Sequence, residues 1–582
     1  MRYRLRILKL VSMALTSAFF ILPTSATANV IGTTKTFFVN ESFDLSGRST
    51  LGATLRYASN RGNFYTDDFS WSKLTASQQA TLLQNMQNLG TLFDSHMYPV
   101  EVGFWGSEPN PGIDGDVKIT ILFQALDVGN GGYFDTIHNL PRTTGRNSNE
   151  REMIFLSLDA LGGDFISIFL AHEFQHLISS NQKELLRRIS DEIWLNEVRS
   201  EYTATVLHQN SPYVGSSIAR RVTTFLNNPS DSLTEWANIT TDYGIAAVFA
   251  EYLAGRFGPR ILVDSLQSSF SGIESINNFL ARNNFSDRFT DIFMDWMIAS
   301  YVNDPQSIQY GYSKSELQSI HVRADATPVI SNVPVMLNFS LKDWQPVWVD
   351  YSVGSAAAIK LELGGDLVKA PAGTAVIYFS DGTYEVARIN GNKTYYILSG
   401  AARGIDTKIV QRIVFAGTFT QKQSNSSGQN LPGQFLLQTS LISETELAAV
   451  KNTLSPSVSF LPSQQSTSDG VLIKRNNAEP ETYVIRGKYK RYLRPDIINL
   501  YGHLDVTKTI PLDGPLFESY VTANYVRYVN DKKVYAIWPD GTKHWLNISA
   551  EQFTNSGRDW NSIFIINEAE LNAYTTGADI TR

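Results

Sequence analysis

Phe169-Leu170-Ala171-His172-Glu173-Phe174-Gln175-His176-Leu177-Ile178 is the stretch that organises this chain. Its apolar residues suit a helix, and in a helix residues four apart share a face. His172 and His176 therefore aim two imidazoles at one point. Glu173, one position round, can reach a water held there. Two nitrogen ligands, a carboxylate and room for solvent are what a catalytic zinc ion needs. Only eight histidines occur in the sequence. At about 1.4% His and about 4% Glu, H-E-x-x-H arises by accident on the order of 0.005 times in a chain this long. The plain alternative is two surface histidines flanking a helical glutamate.

A catalytic zinc keeps three protein ligands and an open position. The third ligand is expected on the next element, a helix read from about Asp191 to His208. Glu197 lies there, 21 residues beyond His176, between the packed pair Trp194-Leu195 and a helical face. Glu201, one turn further on the same face, suits an orienting role: it can accept from the far nitrogen of a ligating histidine and fix its tautomer. With zinc to activate a water, Glu173 is the expected general base, handing the proton on to a leaving amine. A donor for the developing oxyanion is also wanted. Tyr243, in Asp242-Tyr243-Gly244 at a helix start, is the first candidate and His208 the second. For both, a structural role is the competing reading.

The rest of the sequence bounds where such a site would work. Met1 to Lys9 is basic, Leu10 to about Leu22 is apolar, and Ala26-Thr27-Ala28 is a small-residue cleavage pattern. Together they read as a signal peptide over residues 1–28. The apolar run is too short to span a bilayer comfortably, and no other segment reads as a transmembrane anchor. The expected location is extracellular or in the cell envelope. The chain of 582 residues has no cysteine, which removes thiolate metal sites and a lipoprotein anchor. A net charge of −7 gives no support for a nucleic-acid partner. A monomer is expected.

Taken in order, residues 29–323 read as one α+β part with two lobes, mixed β/α before the motif and helical after it. Lys35–Val39, Ala53–Ala58, Val117–Phe123 and Glu152–Leu158 read as strands. Ala76–Leu92, Asp164–Ser180, Tyr243–Phe257, Pro259–Leu280 and Asp287–Tyr301 read as helices. Glu152–Leu158 is either an edge strand able to pair with an extended peptide or an ordinary interior strand. Asp114 and Asp116 are calcium-ligand types, but too few oxygens accompany them, so turn formation is the better account. Residues 324–450 read as a β-sandwich, with Asp381-Gly382 and Asn390-Gly391 as hairpin signals. Residues 451–468 are a Ser/Pro/Gln-rich linker. Residues 469–578 carry a two-copy repeat, each copy three short strands and a helical piece: Val471–Lys474, Thr482–Ile485 and Lys490–Leu493 in the first, Tyr525–Tyr528, Val534–Ile537 and Lys543–Leu546 in the second. The repeats look like those on the tails of bacterial exported proteins, which suggests a cell wall or cell surface as their partner, against a plain spacer.

Ala171 to Ile178, with Trp194-Leu195-Asn196-Glu197 and Ser200-Glu201-Tyr202, resembles the gluzincin clan of zinc metallopeptidases, and within it the secreted bacterial hyicolysin-type neutral metalloproteases. Gly131-Gly132-Tyr133-Phe134, Asn149-Glu150 with Glu152-Met153, and Asp242-Tyr243-Gly244 are similar in order and setting. The resemblance covers residues 33 to 305. It implies a zincin-like catalytic domain with the H-E-x-x-H helix between its lobes, one zinc ion on His172, His176 and Glu197, Glu173 as base, and a protein or peptide substrate. Val198 departs from the family, which carries glycine there; a valine would narrow the site. The alternative in a different class is a surface-binding protein whose peptidase part is inactive or of very narrow specificity.

Overall fold

The computed structural model describes residues 30–356 without interruption. It further describes 358–453 apart from 367, 391–392, 400–407 and 423–429, and 470–581 apart from 476–479, 487–488, 502–503, 505, 513–516, 518–519, 529–530 and 557. The expected signal peptide and most of the Ser/Pro/Gln-rich stretch lie outside the described residues. The chain is mixed α+β and divides into two compact units. One takes the described residues up to Asp94 with Pro109–Gly162; the other takes Ser95–Glu108 and everything from Gly163 on.

The first unit is built on one six-stranded sheet. Its strands are β1 (Thr34–Phe38), β2 (Thr50–Ala58), β3 (Gly62–Asp67), β4 (Ile119–Gln124), β5 (Gly132–Tyr133) and β6 (Met153–Ser157), in the order β1-β2-β3-β4-β6-β5. The first three pair antiparallel, whereas β3, β4 and β6 pair parallel. Every residue of β3, β4 and β6 is buried, as parallel strands covered on both faces require. Helices α1 (Asp68–Ser72) and α2 (Ala76–Leu92) follow β3. A capping box starts α2: Gln78 N donates to Thr75 Oγ1 (3.3 Å) and Thr75 N donates to Gln78 Oε1 (2.9 Å). The strand read as a possible edge is not the edge. Tyr133 and Gly132 of β5 pair with Phe155 and Leu156 of β6 and take the outer position.

In this unit Asp114 and Asp116 behave as turn formers. Asp114 Oδ1 accepts from Asp116 N (3.0 Å), Asp116 Oδ1 accepts from Lys118 N (3.0 Å), and Arg151 lies 3.7 Å from Asp114. Asn149 clasps the end of β1 by bonding both N–H and C=O of Phe38, each at 2.9 Å. Glu152 accepts from Ile113 N at 3.1 Å. These are internal ties of the sheet.

The second unit begins with α3 (Tyr98–Trp105) and continues with α4 (Ile166–Ser179), α5 (Ile193–Val206), α6 (Ser217–Asn227), α7 (Thr240–Phe257), α8 (Arg260–Leu266), α9 (Gly272–Arg282) and α10 (Phe289–Val302). The single helix read over Pro259–Leu280 is two, because Ser268-Ser269-Phe270-Ser271 breaks it. Central α7 is apolar all round and buried from Gly244 to Ala254. Against α10 lies a β-sandwich with sheet orders β13-β10-β15-β8 and β12-β11-β14-β9-β7. Its strands are β7 (Val329–Ile330), β8 (Val335–Leu341), β9 (Val347–Ala356), β10 (Ala358–Gly365), β11 (Pro371–Phe379), β12 (Tyr384–Asn390), β13 (Lys393–Leu398), β14 (Val410–Phe419) and β15 (Gly433–Leu441). Val349, Tyr351, Leu361, Ile377, Phe415 and Phe435 belong to its core. Trp348 Nε1 donates to Met297 O of α10 at 3.0 Å. Asp381-Gly382 makes the expected β11–β12 hairpin, Gly382 taking φ +82°. Of the other hairpin signal, Asn390-Gly391, Gly391 lies outside the described residues; the flanking strands β12 and β13 belong to different sheets.

Helix α11 (Glu444–Thr453) closes the sandwich. Two similar five-stranded sheets follow, in orders β19-β16-β17-β18-β20 and β24-β21-β22-β23-β25. In the first, β16 (Leu472–Lys474), β17 (Thr482–Arg486) and β18 (Tyr489–Leu493) pair antiparallel, with β19 (Ile510–Pro511) and β20 (Val521–Thr522) parallel at the edges. The second repeats this with β21 (Tyr525–Tyr528), β22 (Val534–Ile537) and β23 (Thr542–Trp545) between β24 (Ile563–Ile566) and β25 (Thr575–Thr576). Short helices α12 (Pro495–Ile498), α13 (Ala550–Asn555) and α14 (Glu568–Ala573) accompany them. The short strands read over these residues are all present, and each sheet gains two parallel edge strands, of two to four residues, beyond those expected.

Candidate metal centre

Two helices carry the site. Helix α4 is buried on nearly every side through Leu170, Ala171, Phe174, Leu177 and Ile178, with Phe174 stacked on Tyr98 at 5.5 Å between ring centres. It continues into a wider π-helical turn over Ser180–Leu185. There Lys183, 1% exposed, donates to the carbonyls of Ser265 (2.8 Å), Ser268 (3.1 Å) and Phe270. Arg199 of α5, fully buried, pairs with Asp191 at 2.7 Å, and Asp191 Oδ1 accepts from Gly272 N. Lys183 and Arg199 therefore tie α4 and α5 to the same α8–α9 segment. That sets the register between the two helices, and with it the distance between His176 and Glu197. Trp194 and Leu195 are buried, as a packed start to α5 predicts.

In that register three side chains converge. His172 Nε2 lies 3.1 Å from Glu197 Oε2, His176 Nε2 3.1 Å from His172 Nε2, and His176 Nε2 3.5 Å from Glu197 Oε1. Tetrahedral zinc with bonds of roughly 2.0–2.1 Å places its donor atoms about 3.3–3.5 Å apart, so the donor set fits that ion. Among the described residues this is the one group of three or more His, Asp and Glu able to hold a metal. The outer nitrogen of each imidazole also has a polar neighbour. Ser200 Oγ is 3.1 Å from His176 Nδ1, and Glu201 Oε1 is 3.6 Å from His172 Nδ1. Glu201 is itself gripped by Arg221 of α6 through two bonds of 2.8 and 2.7 Å. A carboxylate in that grip is an acceptor on the Nδ1 side of His172. Both Nε2 atoms face each other and the Glu197 carboxylate, a cluster of donor atoms that a positive charge would reconcile.

Burial pushes Glu197 upward, but His176 and His172 outweigh it and hold the carboxylate well below its ordinary range. Glu173 is buried beside them. Burial first, then Glu197 and Glu201, push it up to about 8, with His176 opposing. It is the carboxylate in the cluster with the greatest hold on a proton. Tyr243 of α7 also belongs here, its ring 6.3 Å from that of His172 and under the Arg221 guanidinium at 4.8 Å. Burial above all, then Glu197, Glu173 and Glu201, raise its pKa, so it stays a neutral donor; its O–H is given to Asn238 Oδ1 at 2.6 Å. The neighbours of Tyr243 have their own tasks. Asp242 accepts from Ala237 N and Ile239 N, and Gly244 lets α6 approach: a Cβ there would stand 3.1 Å from Phe225 N and 3.3 Å from Arg221 O.

The structure thus brings together His172, Glu173, His176, Glu197, Glu201 and Tyr243, and adds Ser200, Gln175 and Arg221. It does not bring His208. That residue lies past the end of α5 with φ +55° and lines a separate cavity of about 490 Å3 with Tyr202, Glu251 and Lys314. Val198 is fully buried in the helix packing, not on the open side of the site. The sequence marks the helix that carries Arg221, which Ser216 caps and whose Ile218, Val222 and Phe225 share one face, but not the role of the arginine.

No family model matches the chain. Over 223 residues it is 24% identical to the neutral metalloprotease ShpI of Staphylococcus hyicus, a match covering 34% of this chain. The match takes in 48% of that protein, so the chain spans about half the length of the curated relative it matches. Among the described residues no helix is long and apolar enough to cross a membrane.

Proposed function

We propose that the chain is a secreted zinc-dependent endopeptidase, with residues 29–323 a zincin-like catalytic part, 324–450 a β-sandwich and 469–578 a surface-binding repeat module. One observation carries the reading: the Nε2 atoms of two imidazoles and the Glu197 carboxylate meet at one point, with a polar side chain behind each imidazole. The similarity to a neutral metalloprotease points the same way, and the N-terminal sequence supports export.

His172, His176 and Glu197 would hold the ion, which supplies a Lewis acid that acidifies water and polarises a carbonyl. Glu173 takes the proton of the attacking water and returns it to the leaving amine. Its raised proton affinity suits both halves of that exchange. Glu201 and Ser200 keep the imidazoles turned. Tyr243 offers the oxyanion a neutral donor by exchanging its bond to Asn238.

The test is metal content beside casein and peptide-library cleavage for wild type and Glu173→Gln. We expect one zinc per chain in both proteins and chelator-sensitive cleavage by wild type alone, the variant losing at least about a hundredfold. A zinc-loaded wild type that leaves every substrate intact would sink the endopeptidase reading.

A further inference from the structure

We propose that Ser200 and Gln175 form an uncharged, one-directional relay that keeps the proton of His176 on Nδ1 and so presents its Nε2 bare to the ion. The proposal rests on the metal-centre reading and goes beyond it by assigning positioning residues.

The direction follows from counting protons. Ser200 Oγ has three polar neighbours: His176 Nδ1 at 3.1 Å, Gln175 Oε1 at 2.5 Å and the Asn196 carbonyl at 3.2 Å. The last two can only accept, and the hydroxyl has a single proton to give. Whichever oxygen takes it, a Ser200 lone pair is left toward His176, and Nδ1 must donate. Gln175 is held from its other end by Ser179, to whose Oγ its Nε2 donates at 2.8 Å. Gln175, Ser179 and Ser200 are at most 4% exposed and His176 is 9% exposed, so water does not compete for these bonds. The relay is written in the helical period: Gln175 and Ser179 are one turn apart on α4, as are Asn196 and Ser200 on α5.

The two histidines are thus held by different chemistry. His172 faces a carboxylate fixed by a guanidinium, whereas His176 faces a hydroxyl fixed by an amide. The site already concentrates Glu173, Glu197 and Glu201. A further carboxylate behind His176 would add repulsion in a poorly solvated place. A neutral relay sets the tautomer without that cost.

The experiment uses the full chain as wild type, Ser200→Ala, Ser200→Thr and Gln175→Leu. Zinc affinity is read by competition with a chromophoric chelator, and imidazole tautomers by 15N shifts of labelled histidine in metal-free protein. Wild-type His176 should be protonated on Nδ1. Ser200→Ala should weaken zinc binding roughly 10–100-fold and let His176 mix tautomers while His172 keeps its own. Gln175→Leu should do the same to a smaller degree, and Ser200→Thr, which keeps the hydroxyl, should restore both readouts. Unchanged affinity in Ser200→Ala and Gln175→Leu, an Nδ1 proton that persists in both, or no recovery in Ser200→Thr overturns the relay. A wild type that takes up no zinc overturns the metal-centre reading instead, and the imidazole shifts, which need no metal, still decide the relay.

Discussion

Two Arg–carboxylate pairs with buried carboxylates, one beside the candidate metal centre and one between the two C-terminal sheets, share nearly the same geometry. Arg221 meets Glu201 at 2.7 Å and Arg491 meets Glu570 at 2.6 Å, with both carboxylates at most 4% exposed. They differ in where the remaining lone pairs go. Glu570 also accepts from Tyr574 O–H at 2.7 Å and from Tyr501 O–H, so all its capacity is spent inside the fold, between the two C-terminal sheets. Glu201 has one direction left over, and it points at His172 Nδ1. Pairing closes the first carboxylate off. It leaves the second poised on a group whose other nitrogen faces the site. Geometry alone therefore does not mark a functional ion pair; the unspent lone pair does.

The largest effect should come from breaking the closed pair. Arg491→Met strands Glu570 as a buried charge, a change that costs about 3–5 kcal/mol. Denaturant unfolding followed by hydrogen exchange over residues 525–576 should show that loss, with peptide cleavage unaltered. The double variant Arg491→Met, Glu570→Leu should recover most of it, since the uncompensated charge is gone. Acid gives a second arm. Burial raises Glu570, but Arg491, Tyr501 and Tyr574 outweigh it and hold the group below its ordinary value of 4.5. Its contribution is then fully present above pH 4.5 and lost as pH falls below that. If Arg491→Met impaired cleavage as much as stability, the distinction between the two pairs would fail.

The open pair should fail differently. Glu201→Gln keeps the shape but removes the charge that faces His172. Zinc affinity should drop roughly 10–100-fold, about 1.4–2.7 kcal/mol, with little change in the melting temperature of metal-free protein. Chelator competition and calorimetry on the same sample separate the two quantities. A variant that melts much earlier yet binds zinc normally would make Glu201 another Glu570.

What could be read from the sequence divides along the same line. His172, His176 and Glu173 were legible because helical spacing converts a five-residue pattern into a shared face, and Glu197 and Glu201 because the following helix repeats that spacing. Ser200, Gln175 and Arg221 were not. A serine or an arginine acquires its role only when another helix is packed against it, and the approach of α6 depends on Gly244, 23 residues beyond Arg221. In the sheets, local pattern found strands more reliably than partners. Asn390-Gly391 carried a hairpin signal, but the strands on either side of it, β12 and β13, belong to different sheets. The position of β6 inside β5 depended on two residues, Gly132 and Tyr133, too short to register as a strand. Val198 shows the converse: a residue that stood out in the sequence has its side chain buried in the core.

The smallest effect belongs to a third pair that has the same distance and neither kind of burial. Arg260 and Asp264 lie 2.7 Å apart one turn along α8, with side chains 67% and 29% exposed. Water competes for both partners, and holding two long side chains together costs conformational freedom. The order is also the weaker one, since Arg260 opens the helix and puts a positive charge at the positive end of its dipole. Arg260→Gln should therefore change stability by less than about 0.5 kcal/mol at low salt. The difference should vanish in 1 M salt, where screening acts over about 3 Å. Paired melting curves at the two salt concentrations measure it directly. A shift above about 1 kcal/mol that persists in high salt would mean that short distance by itself stabilises. Ranking the three pairs by their spent and unspent lone pairs would then lose its basis.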